Sequence, residues 1–288
     1  MGFQSVFRPN LFEHMNIVVT GGGSGIGRCT AHELASLGAH VIITGRRPDK
    51  LETVLTEIRE DGGSVTMNAF DIRDEDAVKN AVHDIMSERG AIHGLVNNAG
   101  GQYPMPLSGI GKKGWEAVVA SNLTGGFLVA REVYVQCMES RGGAIVNMLA
   151  DMWNGMPGMG HSGAARAGML NFTQTAAVEW AASGVRVNAV APGWVLSSGM
   201  DHYDPSFAAE VIPKLTSAVP LKRLAEEAEI SGAIVFLLSP VASFITGACI
   251  KIDGGASLNT NIFPLVDHHN SKPYDGFHRA VRPKVVQA

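Results

Sequence analysis

The chain has few cysteines, few aromatic residues and no long uninterrupted apolar run. Its 288 residues include three cysteines, and aromatic side chains make up 7% of the total. Cys29, Cys137 and Cys249 are widely spaced and form no CxxC pair, which favours a reducing compartment and small buried side chains over a disulfide framework. No apolar stretch approaches the length of a membrane span, and residues 1–14 lack the apolar run of a signal peptide. These absences predict a cytoplasmic protein.

Neither sign of charge dominates the sequence. Lys and Arg number 23 against 27 Asp and Glu, so the formal net charge is −4. This balance provides no attraction to nucleic acid or to an anionic membrane, and we expect neither as a partner. Apolar residues make up 45% and charged residues 17%. Such a composition suits a large buried core and excludes disorder, collagen-like repeats and coiled coil.

Short β-branched runs alternate with amphipathic segments almost to the end of the chain. Strands are predicted at 15–19, 40–44, 64–70, 93–96, 143–148, 185–190 and 248–252. Helices are predicted at 25–37, 48–60, 74–88, 114–139, 162–182 and 226–239. Several strand runs are apolar throughout, as is typical of strands covered on both faces. The alternation predicts an α/β fold with one doubly wound, seven-stranded parallel sheet.

Two segments depart from this alternation. Residues 194–220 connect the sixth strand to the last helix, and residues 256–288 form a tail rich in His, Pro, Asn and Lys. A long connection at the carboxyl end of a parallel sheet is usually a lid or a binding loop. We therefore predict that 194–220 is a substrate loop. The whole chain, 1–288, is interpreted as one domain with a core at 14–256.

A glycine-rich segment joins the first predicted strand to the first predicted helix. It reads TGGGSGIG at 20–27, in place of the common GxGxxG spacing. Glycines here permit a tight turn and close approach of the backbone to a pyrophosphate, and the helix N-terminus offers free N–H groups. The position between strand and helix makes this a strong indication of a dinucleotide site. The residues assigned to it are Thr20, Gly21, Ser24, Gly25, Ile26 and Gly27.

The end of the second strand indicates which dinucleotide binds. An acidic residue there would favour the 2′-hydroxyl of NAD, but this chain has Arg46 and Arg47. An arginine accommodates the 2′-phosphate of NADP, so we predict NADP(H). Asp71 and Ile72 follow the third strand and are assigned to the cofactor site. Asp71 either hydrogen-bonds the adenine amino group or caps the next helix.

Four motifs in this order resemble those of the short-chain dehydrogenase/reductase family. They are TGGGSGIG at 20–27, NNAG at 97–100, Asn122 in SNLTG, and APG at 191–193. The resemblance covers roughly residues 14–256. It implies a Rossmann-type domain, a nicotinamide cofactor, and homodimers or homotetramers built on the fourth and fifth helices. The further residues that it assigns to the cofactor site are Asn98, Ala99, Gly100, Arg166, Pro192 and Gly193.

Longer stretches resemble one branch of that family. NNAGGQY at 97–103, HSGAARAG at 161–168 and GWVLSSGMD at 193–201 are similar to peroxisomal trans-2-enoyl-CoA reductases and their bacterial relatives. Some of those bacterial relatives are dehydrogenases of acyclic terpene alcohols such as citronellol. The resemblance therefore implies an apolar acyl thioester or a terpenoid as substrate. Five methionines between 148 and 169 either fill the core or line a deformable apolar pocket.

The usual catalytic set of the family, Asn, Ser, Tyr and Lys, is largely replaced. Asn122 matches the Asn, whereas Leu149 stands at the Ser position, Ser162 at the Tyr position and Arg166 at the Lys position. Arg166 can donate hydrogen bonds to ribose hydroxyls but cannot carry a proton. Ser162 is a poorer proton donor than a tyrosine. We nevertheless assign Asn122, Ser162 and Arg166 to the catalytic site.

These residues leave two questions open: which group donates the proton, and whether the protein is catalytically active. His161, Asp151, Tyr103, Tyr203 and water are the candidate donors. The leading hypothesis is an NADP(H)-dependent oxidoreductase of an apolar acyl thioester or terpenoid. The alternatives are a catalytically silent member that binds a nucleotide or acyl ligand, and a citronellol-like alcohol dehydrogenase. No metal is expected, because no spaced third ligand accompanies the adjacent pair of histidines in the tail.

Overall fold

The seven strands of the described residues join one parallel sheet. The computed structural model describes residues 2–202, 205–259 and 264–284. The strands are β1 (Asn16–Thr20), β2 (His40–Gly45), β3 (Ser64–Ala69), β4 (Gly94–Asn97), β5 (Gly143–Met148), β6 (Val185–Pro192) and β7 (Cys249–Ile252). Their order is 3-2-1-4-5-6-7, so the chain reverses direction across the sheet between β1 and β4. The predicted fold class is confirmed, and ligands of such sheets bind at the carboxyl ends beside this reversal.

Helices cover both faces of the sheet. The α-helices in the described residues are α1 (Gly25–Ser36), α2 (Pro48–Glu60), α3 (Glu75–Arg89), α4 (Lys112–Val119), α5 (Gly125–Val133), α6 (Glu139–Arg141), α7 (Gly160–Glu179), α8 (Pro205–Ala218) and α9 (Glu227–Leu238). One apolar cluster includes side chains of α1, α2 and α9, and a second includes side chains of α3, α5 and α7. The sheet therefore lies between two apolar layers. Within the described ranges, no helix is both long enough and apolar enough to span a membrane.

The single uniform helix predicted at 114–139 is wrong in detail. Two π-helical segments, Ala120–Thr124 and Tyr134–Met138, separate α4, α5 and α6. Such π turns are frequent at functional sites, and the first of them contains Asn122. Directly after it, Gly125 packs so closely on Ile72 that an added Cβ would lie 2.7 Å from its side chain.

Buried polar side chains tie the middle of the sheet to the helices. The Nδ2 of Asn97 donates to the carbonyl oxygen of Gly126 at 2.7 Å and to the Oδ1 of Asn147 at 3.2 Å. The Nδ2 of Asn147 in turn donates to the Oγ1 of Thr173 at 2.9 Å. Because buried amides need partners, this network fixes β4 and β5 relative to α5 and α7.

The described parts of the two irregular segments contain more regular structure and packing than their composition indicates. The predicted substrate loop, 194–220, contains helix α8, which begins at one proline and includes Pro213. The described part of the tail packs back on α1 and on the N-terminal segment. Phe277 is 2% exposed and stacks on Phe3, and the backbone N–H of Gln4 donates to the carbonyl oxygen of Gly276 at 2.9 Å.

Candidate active site

The glycine-rich loop forms a tight turn between β1 and α1. Gly21 and Gly25 have φ angles of +67° and +57°, a region that favours glycine. A Cβ on Gly27 would collide with the carbonyl oxygen of Gly21 and lie 2.5 Å from the Nδ2 of Asn98. Ser24 is exposed beside the first turn of α1, and Ile26 is partly buried against the core. The geometry fits a loop that cradles phosphate at the helix N-terminus.

The NNAG segment holds this loop in place. The backbone N–H groups of Asn98 and Ala99 both donate to the Oγ1 of Thr20 at 2.9 Å. The Nδ2 of Asn98 donates to the carbonyl oxygen of Thr20, also at 2.9 Å. These side chains of Thr20 and Asn98 are therefore engaged in joining the two loops. The predicted cofactor residues of both motifs lie together.

Three arginines follow the carboxyl ends of β2 and β3, the region predicted to hold the adenosine ribose. Arg46 and Arg47 are exposed directly after β2. The guanidinium of Arg73 donates to both carboxylate oxygens of Asp71, at 2.5 and 3.0 Å, and lowers the pKa of that carboxyl, with a smaller contribution from Arg46. The capping alternative for Asp71 is wrong, because Asp74 caps α3 by accepting the N–H of Ala77 at 3.0 Å. Sequence reasoning missed Arg73.

The end of β6 contacts the segments that follow β5 and β7. The N–H of Gly193 donates to the carbonyl oxygen of Ile252 at 3.0 Å, and a Cβ on Gly193 would lie 2.9 Å from the Cα of Asp253. The carbonyl oxygen of Pro192 accepts the N–H of Asp151 at 2.8 Å. Pro192 and Gly193 thus fix the turn that carries the chain from β6 past the ends of β5 and β7.

The predicted catalytic residues Asn122 and Ser162 meet in a buried row of polar groups. Asn122 is 1% exposed; its Oδ1 accepts the N–H of Gly101 at 2.8 Å and its Nδ2 donates to the carbonyl oxygen of Gly101 at 2.9 Å. The same Nδ2 lies 3.5 Å from the Oγ of Ser162, which is fully buried. Ser162 donates to the Oε1 of Gln102 at 2.5 Å. Gln102 was not predicted, although it stands in the NNAGGQY motif.

Arg166 is a buried cation beside this row. Its side chain is 8% exposed, its Nη1 donates to the carbonyl oxygen of Met148 at 2.5 Å, and its Nε has no partner among the described residues. Burial lowers the pKa of the guanidinium to about 10, so it stays charged at neutral pH. A Cβ on Gly100 would lie 2.9 Å from its Nη2. A buried cation with an unused donor fits the hydroxyls of a nicotinamide ribose.

The candidate proton donors differ in their surroundings. His161 is fully buried, its Nε2 has no partner within the described part of the chain, and its ring centroid lies 4.7 Å from that of Tyr103. Tyr103 is 37% exposed. Asp151 is half-buried, and burial together with the charge of Asp253 raises the pKa of its carboxyl. Tyr203 lies outside the described residues.

The methionines of this region are mostly core residues. Met148, Met159 and Met169 are buried, whereas Met152 and Met156 are partly exposed. Across the described ranges, no group of three or more His, Cys, Asp or Glu side chains is arranged to hold a metal ion.

Comparison with known proteins identifies the family of the chain. A family model described as enoyl-(acyl carrier protein) reductase matches residues 21–257, from the glycine-rich loop to beyond the last strand. The chain therefore belongs to the short-chain dehydrogenase/reductase family of oxidoreductases, as its motifs predicted.

Three proteins illustrate what the chain is similar to. The probable 2,4-dienoyl-CoA reductase of Bacillus subtilis (strain 168) is 36% identical over 251 residues, which are 86% of this chain and 98% of that protein. The citronellol catabolism dehydrogenase AtuB of Pseudomonas aeruginosa PAO1 superposes with a TM-score of 0.80 at 60% identity, over 88% of this chain and 100% of that one. An actinorhodin polyketide ketoreductase variant solved with NADPH is 28% identical, with a TM-score of 0.81 over 87% and 99% of the two chains.

Proposed function

We propose that the chain is an NADP(H)-dependent oxidoreductase that reduces an apolar enoyl thioester or a terpenoid, without the usual Ser, Tyr and Lys. The observation that carries this proposal is the polar row from Asn122 through Ser162 to Gln102, next to the buried cation Arg166. The row offers neutral hydrogen-bond donors in a buried site. Such donors suit a developing thioester oxyanion. The dienoyl-CoA reductase and the citronellol catabolism dehydrogenase among the relatives support the substrate class.

The cofactor preference rests on the charges around the adenosine site. When bound, NADPH supplies the hydride for the β-carbon of the substrate. Arg46 and Arg47 stand at the position where an acidic residue would favour NAD. Nearby, Arg73 forms an ion pair with the carboxylate of Asp71. Arg166 would hold the nicotinamide ribose through the donors that Met148 leaves free.

The remaining chemistry falls to three side chains. The hydroxyl of Ser162 donates a hydrogen bond to the Oε1 of Gln102. The amide nitrogen of Gln102 is therefore the donor at the outer end of the row. We assign this nitrogen to the thioester oxygen, with Ser162 orienting it. The α-carbon takes a proton. We assign Asp151 to provide it, because Asp151 follows β5 at the carboxyl edge of the sheet, and because burial and the charge of Asp253 raise the pKa of its carboxyl.

The test is cofactor binding followed by turnover. Calorimetry with NADPH and NADH should give tighter binding of NADPH, and trans-2-enoyl-CoAs with short and long acyl chains should then drive NADPH oxidation. Gln102→Leu should lower kcat while leaving the Kd for NADPH unchanged. Binding of NADPH without turnover of these enoyl-CoAs, of terpenoid carbonyl compounds or, with NADP⁺, of citronellol would instead support the catalytically silent alternative.

A citronellol-type alcohol dehydrogenase is the second candidate, favoured by the 60% identity to the citronellol catabolism dehydrogenase. Alcohol oxidation needs a base, whereas thioester reduction needs an acid. If Asp151 fills either role, the two reactions respond to pH in opposite directions. Reductase activity should fall as pH rises through the raised pKa of Asp151, and dehydrogenase activity should increase.

A further inference from the structure

A buried glutamate on a neighbouring helix faces the glycine-rich loop at 20–27, here called the phosphate loop. Glu227 is the first residue of α9 and is 7% exposed. Its Oε1 lies 3.9 Å from the position that a Cβ would take on Gly25, the first residue of α1. The N-terminus of α1 is the place where free N–H groups bind an anion. A carboxylate so close to it would repel the pyrophosphate for which this loop is shaped.

The charges around Glu227 do not cancel this effect. Arg28 of α1 attracts it, but the Nε and Nη2 of Arg28 donate to the two carboxylate oxygens of Glu57 at 2.8 and 2.9 Å. Glu226, the N-cap of α9, precedes it and forms an ion pair of 2.8 Å with Arg282 of the tail. The other titratable groups near it, on α1 and on the tail, are Cys29, Glu33 and Asp275.

The tail closes over this carboxyl. Phe277, Val281 and Arg282 line a cavity of about 90 Å³ together with Leu196 and the first residues of α9. Burial, opposed by Arg28 and aided by Glu226, raises the pKa of Glu227 to about 7. The carboxyl therefore changes its charge in the range where the protein would work.

We propose that Glu227 controls how tightly the phosphate loop binds the pyrophosphate of the cofactor. The neutral carboxyl admits the anion, and the ionised carboxylate opposes it. This inference rests on the proposed function, because it requires that the loop bind NADP(H). Cofactor affinity should then fall as pH rises through neutrality, and binding should draw a proton from solution onto Glu227.

The experiment compares the wild type with Glu227→Gln, using ADP-ribose as the ligand. ADP-ribose carries the pyrophosphate but no 2′-phosphate, whose own titration near pH 6 would interfere. Calorimetry at about pH 6 and about pH 8, each in two buffers with different heats of ionisation, measures both Kd and proton uptake. For the wild type we expect the Kd to rise about tenfold between the two pH values, with net proton uptake. For Glu227→Gln we expect the Kd to change less than about twofold.

Asp275→Asn is the matched control, since it removes another carboxyl from the same cavity and should keep the wild-type profile. The proposal is overturned if Glu227→Gln retains the wild-type pH dependence, or if the wild type binds ADP-ribose without taking up a proton. Either result leaves the proposed function standing. If the wild type binds neither ADP-ribose nor NADPH at either pH, the proposed function fails together with this inference.

Discussion

Removing one aromatic ring from the C-terminal tail should destabilise the whole domain. The ring of Phe277 is 2% exposed and lies 5.7 Å from that of Phe3 and 5.1 Å from that of His32, with the guanidinium of Arg28 4.9 Å from its centroid. Truncation of a buried Phe to Ala costs about 3–5 kcal/mol, and loss of the cation–π contact adds to it. Because the tail can detach instead of leaving a void, we expect a loss of about 3 kcal/mol for Phe277→Ala.

Urea unfolding followed by circular dichroism measures this loss. Phe244→Ala is the matched control, because Phe244 is 103% exposed and its truncation should change the free energy of unfolding by less than about 0.5 kcal/mol. A loss below about 1 kcal/mol for Phe277→Ala, or equal losses in the two variants, would refute the view that the tail completes the packing around α1.

Three other substitutions test the phosphate loop and its surroundings. The pKa of Glu227 is about 7 in the folded protein against an ordinary 4.5, so the folded state binds more protons. As pH rises from about 5 to about 8, the wild type should lose about 2–3 kcal/mol of stability relative to Glu227→Gln, measured by urea titration at each pH. Gly27→Ala should weaken NADPH binding in a fluorescence titration by more than about tenfold, because the added Cβ would collide with the carbonyl oxygen of Gly21. Gly232→Ala is the control: its added Cβ would meet no atom within 4 Å, so NADPH binding should not change. Arg46→Ala should raise the Kd for NADPH about tenfold and leave that for NADH unchanged; equal losses for both cofactors would show that Arg46 does not contact the 2′-phosphate.

The oligomeric state is a separate expectation. Apolar side chains are exposed on and around α5 and α7. The exposed fractions of Phe127, Val135 and Val178 lie between 38% and 78%. A second copy of the chain would cover such surfaces, so we expect a homodimer or homotetramer. Light scattering that gave a monomer at micromolar concentration would contradict this.

Local pattern was sufficient to predict the sheet but not the finer features of the helices. Every residue of β1 is buried, so its apolar run signals a central strand without any tertiary information. The π turn at Asn122 has no such signal, because the spacing of apolar residues changes little when one helical turn widens. Helix α8 was missed because prolines at its start and within it resemble loop signals.

The sequence by itself determined the α/β alternation and the glycine-rich turn after β1, and it predicts that Leu149, Ser162 and Arg166 stand in place of the usual catalytic residues. These features depend only on the type and order of the residues. Only the tertiary structure decided that Gln102 accepts a hydrogen bond from Ser162 and that Glu227 lies beside Gly25. Such contacts join residues far apart in the chain. They depend on how helices and loops pack against the sheet, which no local periodicity encodes.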